Sequence, residues 1–200
     1  MHDLREIKLY FAYTSPFTYL AMAPAYALER SHRVRIRYIP YGVNIRKTYG
    51  NLDIAGADRR KVRYLYIDAR RIAKERGLTI YPPKKIFSCR NAFYGGLFAE
   101  SHRRFREYSD RVFERFWRAE LDVEDRDAIS AVITEIGLEA GAFARYADSS
   151  ARADLDACFA EADRDGIFGV PTFIAEGEPF WGEDRIDWVI RKLDAIGLRR

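Results

Sequence analysis

Strand-forming patterns occur only at the two ends of this chain, and a long helical stretch separates them. Residues 8–13 and 33–39 alternate as pleated strands do, and short strands are also indicated at Thr172–Ala175 and Phe180-Trp181. Between the two ends, apolar residues recur every three or four positions, which is the period of amphipathic helices. Neither end contains enough strand to form a complete core alone, so the two ends are expected to join in one sheet.

The composition is that of an ordinary folded protein. The 200 residues are 48% hydrophobic and 32% charged, which excludes disordered, collagen-like and coiled-coil classes and fits one domain. The formal net charge is +4, and the two signs are interleaved along the middle of the chain. This balance favours anionic small molecules and does not indicate a nucleic-acid partner.

The N-terminal residues argue against a secreted or membrane protein, and the cysteine and histidine spacings argue against a disulfide-bonded or metal-binding one. Residues 1–8 carry charges where a secretory signal needs an apolar stretch, and the longest mostly apolar run, residues 19–28, is well short of the ~20 residues that span a bilayer. We therefore expect a cytoplasmic protein without a membrane partner. Cys89 and Cys158 are far apart, and the three histidines lack the spacing of metal ligands, so neither a structural disulfide nor a metal site is predicted.

The N-terminal end predicts a strand, a helix and a second strand. Ser15 is a good N-cap and Pro16 is tolerated in a first turn, so a helix should begin here and reach about residue 29. With the flanking strands it makes a βαβ unit, which is normally parallel and right-handed. Further helices are predicted at residues 62–77, 89–102, 105–120, 125–136, 139–147 and 151–165, and a last one from Asp184.

This order of elements matches an α/β fold with a thioredoxin-like core (βαβ…ββα) and a large inserted α-helical subdomain. The chain is therefore predicted to be a single domain over residues 1–200. The core is expected at residues 7–50 and 165–198, and the helical insertion at about residues 55–164.

The reactive position of a thioredoxin-type fold lies at the start of the first core helix, which here reads Ser15-Pro16-Phe17-Thr18. Ser15 and Thr18 have the spacing of the cysteines in a CxxC motif, but neither carries sulfur, so dithiol oxidoreductase activity is not expected. A hydroxyl beside the positive end of a helix can stabilise an anion, including a bound thiolate. The alternative is that Ser15 is only an N-cap.

The segment Gly169-Val170-Pro171-Thr172 directly precedes the third core strand. A proline at this point is ordinarily a boundary residue, since cis X–Pro bonds are only about 5–6% of all such bonds. A cis-Pro171 opposite the active helix would instead present the backbone N–H and C=O of Val170 to a peptide-like ligand as a short β-bridge.

Three motifs together resemble one family. Ser15-Pro16-Phe17-Thr18-Tyr19-Leu20, Gly166-Ile167-Phe168-Gly169-Val170-Pro171-Thr172-Phe173 and Phe180-Trp181-Gly182-Glu183-Asp184-Arg185 closely resemble the 2-hydroxychromene-2-carboxylate isomerases. These are grouped with kappa-class glutathione transferases in the DsbA-like branch of the thioredoxin superfamily. The resemblance runs from Tyr10 to Leu193, and the set of motifs is specific although each alone is weak.

The resemblance implies a glutathione site. It implies that Ser15 approaches the sulfur as the catalytic residue, that Val170 and Pro171 present the backbone that pairs with the tripeptide, and that Glu183 and Asp184 hold its γ-glutamyl end. A Ser hydroxyl can donate to a thiolate, and a carboxylate at Asp184 can pair with an ammonium group. Asp184 could equally be the N-cap of the last helix, and Glu183 stands where the family leads us to expect a small polar residue.

The resemblance also implies a site for an aromatic carboxylate substrate. Lys47 would bind the carboxylate and Asn51 would orient the neighbouring oxygens, although a Lys in a loop is ordinarily a solvated surface charge. The implied activity is a glutathione-dependent cis-trans isomerisation of an aromatic enone carboxylate through reversible thiolate addition. The alternatives are a kappa-like glutathione transferase and a non-catalytic thiol-peptide-binding protein. A homodimer is expected from the same resemblance. A redox role through Cys89 or Cys158 is a weaker third alternative, because neither lies at the start of the active helix.

Overall fold

A computed structural model describes residues 4–42 and 57–200, and for residues 57–59 only the backbone. The chain begins with strand β1 (Arg5–Phe11), helix α1 (Pro16–Ser31) and strand β2 (Val34–Pro40). The two strands are parallel over their whole length, from the Arg5–Val34 pair to the Phe11–Pro40 pair. The predicted parallel βαβ unit is therefore confirmed.

The C-terminal end completes the same sheet. Strands β3 (Thr172–Ala175) and β4 (Glu178–Trp181) form an antiparallel hairpin, and β3 also pairs antiparallel with β1. The strand order is β2-β1-β3-β4. A short 3₁₀ turn (Glu183–Arg185) then leads into the last helix (Ile186–Ala195).

Six α-helices of the described residues lie between β2 and β3. They are α2 (Ala57–Glu75), α3 (Arg90–Ser101), α4 (Phe105–Trp117), α5 (Arg126–Glu135), α6 (Ala140–Asp148) and α7 (Ala151–Arg164), and the last helix is α8. Together with the mixed four-stranded sheet they give the α/β, thioredoxin-like architecture with inserted helices that the sequence predicts. None of the helices in the described part of the chain is long and apolar enough to cross a membrane.

The chain divides into two compact units. The sheet unit comprises Met1–Ala69 and Ala162–Arg200, and the helical unit comprises Arg70–Glu161. Helix α2 begins in the sheet unit and ends in the helical unit, so the boundary lies within this helix. The sequence-based insertion boundary, at about residues 55 and 164, differs from the division of the units at its N-terminal side.

The sheet unit is organised around β1. The consecutive residues Leu9, Tyr10 and Phe11 are all 0% exposed, because β1 lies between β2 and β3 and is covered on both faces. The predicted strand at residues 8–13 is therefore displaced: Ala12 and Tyr13 are buried but leave the strand, and Ser15 N–H already donates to Ala12 O at 3.1 Å in the turn toward α1.

Candidate functional site

Ser15 caps helix α1. Its backbone is extended (φ −94°, ψ 117°), and its Oγ accepts a hydrogen bond from the Thr18 N–H at 3.2 Å. Pro16 occupies the first turn, where its missing N–H leaves no unsatisfied donor. The N-cap interpretation is thus confirmed, and it fixes the Ser15 hydroxyl at the positive end of the helix.

This helix end keeps hydrogen-bond donors available to a ligand. The Tyr19 N–H donates to Ser15 O and the Thr18 N–H to Ser15 Oγ, whereas the Phe17 N–H has no acceptor among the described residues. Ser15 Oγ donates to Val170 O at 3.5 Å, which is at the limit of hydrogen-bond geometry. An anion placed beside Ser15 could therefore receive both a hydroxyl and a backbone donor.

The Val170–Pro171 peptide bond is cis. The cis alternative weighed from the sequence is confirmed, and Val170, whose carbonyl faces Ser15 Oγ, is half-buried. The Val170 N–H has no acceptor among the described residues, while Pro171 O accepts from the Gly182 N–H at 2.9 Å. The structure thus brings Ser15, Val170 and Pro171 together, with one backbone donor of the loop left open to a ligand.

Two hydroxyl groups hold the segment that leads to the cis bond. Thr172 Oγ1 donates to Gly169 O at 2.7 Å, and Tyr41 Oη donates to Ile167 O at 3.0 Å. Burial, followed by the charge of Asp163, raises the pKa of Tyr41 above its usual value. Tyr41 therefore stays a neutral donor, and the loop is fixed on both sides of Val170.

Asp165 attaches the start of this segment to β1. Its Oδ2 accepts from Lys8 Nζ and from Tyr10 Oη, both at 2.6 Å. Burial opposes the charged carboxylate, but the hydrogen bonds from Lys8 and Tyr10 and the charge of Lys8 hold the pKa of Asp165 below its ordinary value. This cluster is not predicted from the sequence. Its only local signal is that Lys8 and Tyr10, two residues apart on a buried strand, place two polar groups on one face of the sheet, where they need partners.

The two acidic residues after β4 have different surroundings. Glu183 is only 9% exposed, whereas the Asp184 side chain is 62% exposed and its Oδ2 lies 3.1 Å from the Arg185 guanidinium. Asp184 Oδ1 also lies against Gly182, where a Cβ would overlap it. Since Gly182 bonds to Pro171, Asp184 is adjacent to the cis-proline loop and accessible. Their assignment to a γ-glutamyl group stays a prediction for both residues.

The N-cap alternative for Asp184 is wrong. Helix α8 begins at Ile186, after the 3₁₀ turn, and its N-cap position is occupied by Arg185, with no side-chain hydrogen bond. The helix therefore starts two residues later than predicted, because Glu183–Arg185 first forms the tighter turn. The Asp184 carboxylate is not engaged in capping α8.

An open cleft of about 510 Å³ adjoins the start of α1. This volume falls within the range of small-molecule sites. Its lining combines aromatic and aliphatic surface with two cations and one carboxylate: Phe17, Arg60, Lys61, Tyr64, Leu65 and Asp68. A planar, negatively charged small molecule fits this combination, because it could contact the rings and pair with the cations.

The other residues singled out from the sequence add no contact to the site described above. Lys47 and Asn51 lie outside the described residues, so their substrate role stays a prediction. Cys89 is buried and Cys158 half-buried, and the two are not joined in a disulfide. Over residues 4–42 and 57–200, no three His, Cys, Asp or Glu side chains come together as a metal site would require.

Residues 6–194 match the family described as the DsbA-like thioredoxin domain, and the chain belongs to that family. A protein of Sphingobium xenophagum named 2-hydroxychromene-2-carboxylate isomerase is 26% identical over 192 residues, which are 92% of this chain and 96% of its own. A solved structure of a 2-hydroxychromene-2-carboxylate isomerase shares the fold with a TM-score of 0.78 at 23% identity, over 96% of this chain and 95% of that one. The cytosolic disulfide reductase DsbM from Pseudomonas aeruginosa, solved with GSH, has a TM-score of 0.65 at 17% identity, over 94% and 99%.

Proposed function

We propose that this protein is a glutathione-dependent cis-trans isomerase of the 2-hydroxychromene-2-carboxylate isomerase type, acting on an aromatic enone carboxylate. The observation that carries the proposal is the meeting of Ser15 Oγ and Val170 O at 3.5 Å. It joins a helix end suited to an anion with a loop suited to a peptide backbone. The names of relatives that span nearly the whole chain support the same reaction class.

The exposed groups around Ser15 fit a thiol tripeptide. The Val170 N–H, without an acceptor among the described residues, matches the backbone carbonyl of a ligand lying antiparallel to the loop. The exposed Asp184 carboxylate lies two residues after Gly182, whose N–H bonds to Pro171 O, and it suits an ammonium group. A neighbour of the same fold was solved with GSH, which supports glutathione as the tripeptide.

When bound, glutathione would supply a sulfur nucleophile that adds reversibly to the conjugated carbon, so that the former double bond can rotate before the sulfur leaves again. Ser15 would donate its hydroxyl hydrogen to the sulfur and favour the ionised thiol. The Phe17 N–H and the helix dipole would also stabilise the ionised sulfur. No redox partner is needed, because the bond formed is the bond later broken.

The cleft beside Phe17 would hold the carboxylate end of the substrate. Arg60 and Lys61 provide positive charge for the carboxylate, and Tyr64 and Leu65 provide apolar surface beside it. These two cations are already in position when the substrate binds. They would therefore stabilise the negative charge that develops near the carboxylate during the reaction. The family resemblance adds Lys47 as a second partner for the carboxylate and Asn51 as a group that orients the neighbouring oxygens; both residues lie outside the described part of the chain.

The sequence of the helix end favours isomerase over oxidoreductase chemistry. Ser15-Pro16-Phe17-Thr18 offers no sulfur for thiol–disulfide exchange. A kappa-like transferase would use the same bound thiolate but would release a conjugate, and a binding protein would hold the tripeptide without turnover. The three candidates differ in what happens to glutathione.

The test is a calorimetric titration with glutathione followed by two assays on the wild-type protein. With 2-hydroxychromene-2-carboxylate and substoichiometric glutathione, we expect saturable isomerisation and an unchanged glutathione concentration. Stoichiometric loss of glutathione with 1-chloro-2,4-dinitrobenzene and no isomerisation would identify a transferase. Binding without turnover in either assay would identify a binding protein, and an absence of binding would overturn the glutathione site itself.

A further inference from the structure

Two large aromatic side chains beside the cis-proline loop are exposed. Phe168 is 61% exposed and Trp181 is 51% exposed, although side chains of this size are ordinarily well covered. Their rings meet edge to face, with centroids 4.7 Å apart and planes at 71°. This is one of the geometries that aromatic pairs prefer, so the two rings form a defined surface.

The backbone next to the two rings fixes the position of Trp181. A Cβ on Gly169 would lie 2.6 Å from Trp181 Nε1, so only glycine lets the loop approach the indole this closely. Trp181 is the last residue of β4 and is paired with Thr172, directly after Pro171. The next residue back, Phe180, is buried. Trp181 is therefore anchored by the sheet while its ring stays in solvent.

The pair lies within reach of the Ser15 position. Phe168 precedes Val170 by two residues, which span at most about 7 Å of extended chain. Val170 O is in turn 3.5 Å from Ser15 Oγ. Phe168 therefore belongs to the loop whose Val170 carbonyl faces Ser15, and a ring attached to a sulfur at Ser15 would lie beside this loop.

We propose that Phe168 and Trp181 form an aromatic platform that binds the planar ring of the substrate. This inference rests on the proposed function, since it uses glutathione at Ser15 to bring the ring into place. The exposed parts of the two side chains amount to roughly 200–300 Å², enough to cover a small ring system. A stable protein interface buries about 800 Å² on each partner, so the platform suits a small molecule better than a second chain.

The test compares two glutathione derivatives by calorimetry. S-Methylglutathione occupies the tripeptide site without a ring, and S-(4-nitrobenzyl)glutathione adds one. The wild-type protein should bind the nitrobenzyl derivative about two- to tenfold more tightly, as expected for an aromatic pair. Trp181→Ala and Phe168→Ala should each reduce this preference while keeping the affinity for S-methylglutathione, and Trp181→Phe should retain most of it.

Trp188 is the matched control. It is 52% exposed, similar to Trp181, but it lies on α8 with the Arg191 guanidinium 4.9 Å from its ring centre. Trp188→Ala should leave the preference intact, and its loss in this variant would contradict a specific platform. Equal affinity of the wild-type protein for the two derivatives would overturn the platform and leave the glutathione site standing. Failure to bind S-methylglutathione would overturn both proposals, and dissociation of a dimer by Trp181→Ala would identify a subunit interface instead.

Discussion

The sheet unit and the helical unit place their polar side chains by different means. In the sheet unit, the Ser15–Val170 and Tyr10–Asp165 contacts each join residues 155 positions apart. In the helical unit, Arg115 pairs with Glu135 only 20 residues away. The first kind of contact exists only when the two ends of the chain have met in one sheet.

This difference predicts which substitutions should change ligand binding and which should change only stability. Long-range contacts in the sheet unit hold a loop, a helix end and a strand in one geometry, so a lost contact there should change binding as well as stability. Contacts in the helical unit join neighbouring helices on an exposed surface, so their loss should change stability alone. Pairs of matched substitutions in the two units test this distinction.

The largest effect is expected from Ser15→Ala. The substitution removes one donor to the bound thiolate, and removal of a comparable donor costs about 10²–10³-fold in turnover. It also removes an N-cap, at about 1 kcal/mol of the free energy of unfolding. Isomerase turnover at saturating glutathione and urea denaturation measure the two effects.

Asp125→Ala is the control for the capping loss. Asp125 caps α5 in the helical unit, where its Oδ1 accepts from the Asp127 and Ala128 N–H groups. Its removal should cost a similar ~1 kcal/mol and leave turnover unchanged. If both variants lose turnover equally, the role of Ser15 is only structural.

Asp165→Asn should have the next largest effect. The substitution leaves the Lys8 ammonium without its carboxylate, and hydrogen bonds to charged groups contribute about 1.5–3 kcal/mol. Because the folded pKa of Asp165 is below its ordinary value of 3.8, the stabilisation is complete above that pH and is lost as the pH falls through the folded pKa. The stability difference between wild type and variant, measured by urea denaturation, should therefore shrink in strong acid.

Glu135→Gln is the exposed counterpart. Arg115 holds Glu135 through two hydrogen bonds of 2.8 and 2.7 Å and lowers its pKa, but both side chains are more than a third exposed. The loss should be only about 0.2–1 kcal/mol. Glutathione affinity should weaken in Asp165→Asn and stay constant in Glu135→Gln. An unchanged affinity in both variants would mean that the Asp165 contacts do not hold the cis-proline loop in its binding geometry.

The sequence was most informative where the structure depends on neighbouring residues. Ser15 and Pro16 predicted the start of α1 correctly, because capping is a local interaction. The strand Thr172–Ala175 was predicted with its observed bounds. Strand β1 was predicted from residue 8 but begins at Arg5, because its extent is set by the residues of β2 that pair with it.

The site could be predicted only in part for the same reason. The helix end and the cis-proline loop carry recognisable motifs, so Ser15 and Val170 were found from the sequence. Asp165 and Tyr41 were missed, since neither residue has a local pattern that reveals a partner more than 120 positions away. The buried Thr18 hydroxyl was likewise visible only once the packing around the helix end was known.

Among the substitutions in the sheet unit, the smallest effect is expected from Thr18→Val. Thr18 is 0% exposed, and its Oγ1 has no hydrogen-bond partner among the described residues, so we expect the buried hydroxyl to be a net cost of folding. Valine keeps the shape and removes the polar atom, and the free energy of unfolding should rise by about 1 kcal/mol. Thr134→Val in the helical unit, whose exposed Oγ1 donates to Ser130 O at 3.1 Å, should change it by less than about 0.5 kcal/mol. A loss of stability in Thr18→Val would mean that the Thr18 hydroxyl has a hydrogen-bond partner in solution. The start of α1 would then resemble Thr134 in the helical unit, whose hydroxyl is hydrogen-bonded.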